Sequence, residues 1–127
     1  MEPDPANEST VLAFCEAFAR RDVDELLTFF ADDAVYHNIP FAPARGASEI
    51  RAVLETFVPG SPTIEFEVRN VASAGAVVFT ERIDRMTFDG RDVELPVAGV
   101  FELADGRITA WRDYFDLQQF MGGAAPS

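Results

Sequence analysis

The sequence is poor in the residues that build cross-links and metal centres. A single cysteine among 127 residues, Cys15, excludes an internal disulfide. Its place on an apolar helical stripe marks it as a small core residue rather than a nucleophile. One histidine, His37, and no Cys/His cluster leave no recognisable transition-metal site. Basic residues are also scarce. Ten stand against 22 acidic ones, and the net charge of −12 repels phosphate backbones and anionic membranes. Neither nucleic acid nor a membrane surface is therefore expected as a partner. No apolar run approaches the roughly 18 residues of a membrane span, and the acidic start Met1-Glu2-Pro3-Asp4-Pro5 lacks the apolar stretch of a signal peptide. Together these absences predict a soluble, cytoplasmic protein.

Apolar bulk is abundant: hydrophobic residues make up 48% of the chain and phenylalanine occurs twelve times, enough for a core without staples. The length predicts one domain over residues 1–127, with 1–6 and 122–127 as frayed tails. Val11, Leu12, Phe14, Cys15 and Phe18 recur at helical spacing and predict a first helix. Asp22 followed by Glu25 resembles a capping box, and Val23, Leu26, Leu27 and Phe30 predict a short second helix ended by Asp32-Asp33. Ala34–Ile39 reads as a strand stopped by Pro40, with Tyr36 and Asn38 on one face and His37 on the other. Phe41 to Gly46 reads as a loop. Ile50, Val53, Leu54 and Phe57 then mark a third helix closed by Pro59-Gly60.

The remainder predicts sheet. Ile64, Phe66 and Val68 alternate with charged residues, and Val77–Met86 follows as a strand after a turn at Ala74-Gly75. Asp89-Gly90 is a hairpin signal into Arg91–Leu103, and Ala104-Asp105-Gly106 closes a second hairpin into Ile108–Phe115. The expected architecture is α+β: a cone-shaped, curved antiparallel (mixed) sheet with three N-terminal helices packed on its concave face.

Within the strand Val77–Met86, Arg82 and Asp84 share a face with Val78, Thr80 and Met86. A two-residue turn at Asp89-Gly90 sets Asp84 opposite Leu95 and Arg82 opposite Val97, so the charged pair looks at an apolar wall. A three-residue loop at the second hairpin pairs Leu103 with Arg107 and Val97 with Asp113, which lines up Arg82, Val97 and Asp113 across three strands. Two carboxylates beside one guanidinium on an apolar wall favour one shared proton, so that one acts as an acid and the other as a base. Tyr36 and Asn38 can aim a water between them. The alternative is an ion triad that only fixes the packing.

The segments Val35-Tyr36-His37-Asn38-Ile39-Pro40, Thr80-Glu81-Arg82-Ile83-Asp84, Gly99-Val100-Phe101-Glu102-Leu103 and Ile108–Asp116 resemble the limonene-1,2-epoxide hydrolase family. This family lies within the nuclear transport factor 2-like, or SnoaL-like, superfamily. The resemblance implies that Asp113 deprotonates a water positioned by Tyr36 and Asn38, that Asp84 protonates an epoxide oxygen, and that Arg82 bridges the two aspartates. The implied reaction opens an epoxide to a vicinal diol in one step, with no cofactor, no metal and no covalent intermediate. A homodimer is implied as well, and the convex sheet face bearing Phe79 and Ile83 needs a cover. Met86, Leu95, Val97, Trp111 and Phe115 are expected to line the pocket, so the substrate is expected to be an apolar epoxide of terpenoid, sterol-like or lipid type. Two alternatives are a proton-shuffling polyketide cyclase or ketosteroid isomerase type, which needs no positioned water, and a non-catalytic small-molecule binding module.

Overall fold

A computed structural model describes residues 1–122. Helix α1 spans Pro5–Ala17 and is capped by Asp4, whose carboxylate accepts from the Asn7 amide. Pro5 and Ala6, assigned to the frayed start from sequence, are thus its first two residues. The rest of the 122–127 tail, from residue 123 on, lies outside the described residues. A single 3-10 turn, Phe18–Arg20, leads through Arg21 in the left-handed region to α2, Val23–Leu27, capped by Asp22.

Six strands follow: β1 (Phe30–Asn38), β2 (Ala44–Arg45), β3 (Ile64–Ala74), β4 (Val77–Phe88), β5 (Arg91–Ala104) and β6 (Arg107–Tyr114). Helix α3, Gly46–Phe57, lies between β2 and β3, and a one-turn helix α4, Leu117–Phe120, comes after β6. The strands form one sheet in the order β2-β1-β6-β5-β4-β3, antiparallel except for the parallel pair β1 and β6.

This architecture corrects the sequence expectation in two respects. The fold is α+β with a mixed sheet, but the sheet is open, with β2 and β3 as its edges, and is not a strongly curved cone. Only two α-helices precede the sheet, because the third, α3, enters after β1 and β2. The second helix also stops earlier than its apolar spacing suggested. Phe30 pairs with Ile108, and the Ile108 amide donates to the Phe29 carbonyl, so cross-strand pairing with β6 draws Phe30 to Asp33 into β1.

The β4–β5 and β5–β6 hairpins differ in how they set register. At Asp89-Gly90 both central residues have positive φ, and Phe88 pairs with Arg91, Asp84 with Leu95 and Arg82 with Val97, as the turn chemistry predicts. The second hairpin corrects the expected three-residue loop. Asp105-Gly106 is another two-residue turn, with Ala104 opposite Arg107, and a bulge at Thr109 follows. Without that bulge Asp113 would face the other side of the sheet. With it, Asp113 stands opposite Gly99 rather than Val97.

The core fills the space between the helices and one sheet face. Its centre is Phe14, whose ring meets Phe18, Phe29, Phe30, Phe101 and Trp111 at centroid distances of 4.9 to 6.1 Å. Among the described residues no helix is long and apolar enough to cross a membrane. Because Phe14 joins α1 to three strands, Phe14→Ala is expected to cost about 3–5 kcal/mol of stability, read from urea unfolding. A loss below about 1 kcal/mol would show that the helix and sheet are held together elsewhere.

Candidate active site

Four strands bring the chemistry-bearing side chains to one place on the helix-covered face of the sheet. Strand β4 supplies Thr80, Arg82 and Asp84 at alternate positions, and β6 supplies Trp111 and Asp113. Strand β5 contributes Gly99 between them, and the parallel pairing of β1 with β6 sets Tyr36 beside Trp111 and Asn38 beside Asp113.

Arg82 is fully buried, and Asp84 and Asp113 are 3% and 4% exposed. Such burial of charge is tolerable only with complete hydrogen bonding, and the guanidinium achieves it. Its Nε donates to Asp84 Oδ1 at 3.0 Å and its Nη2 to Asp84 Oδ2 at 2.8 Å. Toward Asp113, Nη1 donates to Oδ1 at 3.2 Å and Nη2 to Oδ2 at 2.8 Å. The remaining N–H of Nη1 goes to the Thr80 hydroxyl at 3.1 Å. All five donors are therefore used, and the Phe66 ring lies under the guanidinium carbon at 5.0 Å.

The electrostatics separate the groups. Burial pushes the Asp84 carboxyl up to about 6, against the opposing pull of Arg82. Burial likewise raises the Tyr36 phenol well beyond its usual range, so Tyr36 keeps its proton and can donate. The Arg82 guanidinium is held more firmly charged than usual: burial opposes its charge, but the carboxylates of Asp113 and Asp84 outweigh that penalty. Away from this centre, burial pushes the Cys15 thiol up to about 12, consistent with a core residue rather than a nucleophile.

Above the carboxylates lies a cavity lined by both aspartates, by Tyr36 and Asn38, and by apolar side chains including Met86, Leu95, Val97 and Phe115. Phe41, Phe57 and Phe120 also line a neighbouring, mainly apolar hollow together with Val53, Phe88 and Met121. Of the expected lining residues, Trp111 is the one placed elsewhere. It is wholly buried, its ring stacked on Tyr36 at 4.1 Å, and its Nε1 donates to Asp113 Oδ1 at 2.7 Å. Tyr36 donates to Asn38 Oδ1 at 3.3 Å. His37 points away from the cavity, with its Nε2 within 2.9 Å of the Phe41 carbonyl oxygen.

Sequence reasoning missed three participants. Thr80 completes the arginine, and Phe120 reaches the cavity from α4, which the sequence reading did not include. The third is Gly99, which the sequence reading named only within a segment of the family resemblance. A Cβ there would overlap Arg82 Nη1 and lie 2.8 Å from Asp113 Oδ1 and 2.9 Å from Thr80 Oγ1. A glycine inside a regular strand was the available signal, since it marks a close approach.

The fold and the site together define a small α+β enzyme with an Asp–Arg–Asp cluster at the floor of a mainly apolar cavity. The limonene-1,2-epoxide hydrolase catalytic domain matches residues 5–125, and the chain belongs to that family. It is 37% identical over 113 residues to epoxide hydrolase EphG of Mycobacterium tuberculosis H37Rv, spanning 89% of this chain and 75% of that protein. A solved M. tuberculosis epoxide hydrolase of the same type superposes with a TM-score of 0.77 at 35% identity, covering 94% of this chain and 89% of that one. A protein with a ketosteroid isomerase-like fold from Catenulispora acidiphila, solved with trimethylamine, gives a TM-score of 0.80 at 21% identity over 89% of each chain. That likeness is one of fold.

Gly99→Ala provides a direct check on the packing of the charged centre. It is expected to destabilise the protein by about 1–3 kcal/mol through overpacking and to depress turnover by displacing the carboxylates. Wild-type stability together with wild-type turnover would show that the centre does not need the glycine.

Proposed function

We propose that the chain hydrolyses an apolar epoxide to a vicinal diol in one step, with Asp113 as base, Asp84 as acid, Arg82 as their bridge, and Tyr36 and Asn38 as the water-positioning pair. The observation that carries this reading is the saturated Asp84–Arg82–Asp113 centre opening onto an apolar cavity with Tyr36 and Asn38 in its wall.

Asp113 takes a proton from a water held by Asn38 and Tyr36, and the water oxygen attacks an epoxide carbon. The carbon–oxygen bond breaks as Asp84 gives its proton to the departing oxygen. One proton has then passed from Asp84 to Asp113 by way of the reactants, and return of that proton resets the pair. The charged centre stays neutral overall before and after the step, which suits a site shielded from water. No enzyme–substrate bond forms. The apolar walls formed by Met86, Leu95, Val97 and Phe115 favour a hydrocarbon-rich epoxide of terpenoid, sterol-like or lipid type. The family resemblance also implies a homodimer, for which the outward sheet face with Phe79 47% exposed offers a surface.

Hydrolysis of a panel of cyclic terpene, steroid and long-chain epoxides in oxygen-18 water tests the reaction. In a single turnover the label is expected in the diol at once, and Asp113→Asn is expected to abolish turnover, by at least about a hundredfold. Unlabelled diol in the first turnover would indicate a covalent aspartyl ester instead. Asn38→Ala discriminates the isomerase-type alternative, which would be spared.

The pH dependence follows from Asp84. As the acid it must carry its proton, so kcat/KM is expected to fall as pH rises through about 6. A pH–rate profile that stays flat well above that point would remove Asp84 from the acid role.

A further inference from the structure

The two oxygens of Asp113 are not equivalent. Oδ2 accepts one hydrogen bond, from Arg82 Nη2 at 2.8 Å. Oδ1 accepts two, from Arg82 Nη1 at 3.2 Å and from the Trp111 indole at 2.7 Å. The two aspartates differ in the same way. Asp113 receives three side-chain donors, whereas Asp84 receives two, both from Arg82. An arginine that forks symmetrically onto two carboxylates cannot by itself decide which of them keeps the shared proton. The indole N–H is the donor that breaks the symmetry, because a bond to a charged acceptor favours the ionised carboxylate.

Resting on the reaction proposed above, we infer that Trp111 is a positioning residue that assigns the roles in the acid–base pair, holding Asp113 ionised and leaving its Oδ2 as the atom that takes the proton from water. The surroundings make the indole a fixed donor. Trp111 is fully buried, lies between the rings of Tyr36 and Phe101 at interplanar angles of 5° and 14°, and meets Phe14 edge-on. The ring therefore has no room to swing its N–H away. The same stack places the Tyr36 ring against the indole, so the water-positioning side chain and the base are aligned by one residue. This also accounts for a bulky indole at a position that contributes nothing to the cavity wall. A packing role alone would be met by any large aromatic ring, and only tryptophan, tyrosine and histidine bring a donor with it.

Trp111 is the sole tryptophan of the chain, which makes the test specific. Replacing it biosynthetically by the benzothiophene analogue, with sulfur in place of N–H, preserves the ring and removes only the donor; Trp111→Phe serves as the genetic counterpart. On an apolar epoxide that wild type turns over, the analogue is expected to lower kcat about ten- to a hundredfold, with KM within about twofold. In the folded wild-type protein the indole 15N–1H resonance is expected to shift on Asp113→Asn, reporting the bond directly. An analogue-bearing protein with wild-type kcat, or an indole resonance indifferent to Asp113→Asn, would overturn the inference while leaving epoxide hydrolysis intact. Absence of wild-type turnover on every epoxide would instead overturn the reaction itself, and this assignment with it.

Discussion

One buried guanidinium sets the terms for this protein. Moving an arginine out of water costs several kcal/mol unless each N–H finds an acceptor, and Arg82 finds five on three side chains. That requirement propagates outward. Two carboxylates must converge on it from different strands, a hydroxyl must fill the last position, and the strand between must carry no side chain at the point of approach. Thr80, Asp84, Gly99 and Asp113 meet these conditions together. A single departure would leave either an unpaired buried charge or an overlap.

The same constraint explains an irregularity in the sheet. The tight Asp105-Gly106 turn would place Asp113 on the wrong face, and the bulge at Thr109 restores it. The Thr109 hydroxyl donates to the Glu102 carbonyl at 3.1 Å, which provides a partner for the ladder where the pairing is interrupted. A bulge next to a functional carboxylate is therefore a device of aim. The parallel pairing of β1 with β6 works to the same end, since it alone brings Tyr36 and Asn38 alongside Trp111 and Asp113.

What the sequence made legible follows the range of the interactions involved. Strand alternation put Arg82 and Asp84 on one face, and Asp89-Gly90 fixed their partners on β5, because both are local consequences of backbone geometry. The convergence of Asp113 was anticipated through the wrong device, a longer loop in place of a bulge. One extra residue in either place restores the phase, and the sequence does not say which. The adjacency of β1 and β6, and the short edge strand β2 within the expected Phe41–Gly46 loop, depend on contacts between segments that leave no periodic trace. The open, mixed sheet is a product of those same contacts. Trp111 was misjudged for a related reason: alternation gave its face, but the direction of the indole is decided by the rings of Tyr36, Phe14 and Phe101.

A buried ion triad can be no more than a packing device, and hydrophobic replacements of such triads are often as stable or more so. Retaining one is a net cost unless the charges act on something. Here both carboxylates border a cavity whose other walls are mainly apolar, and the carboxyl of Asp84 is raised by burial into the range where it can hold a proton. Scaffold and chemistry thus draw on one term. In the reaction proposed above, the desolvation that makes Arg82 expensive to bury is also what would let two identical side chains, held by one guanidinium, serve as acid and base toward the same molecule.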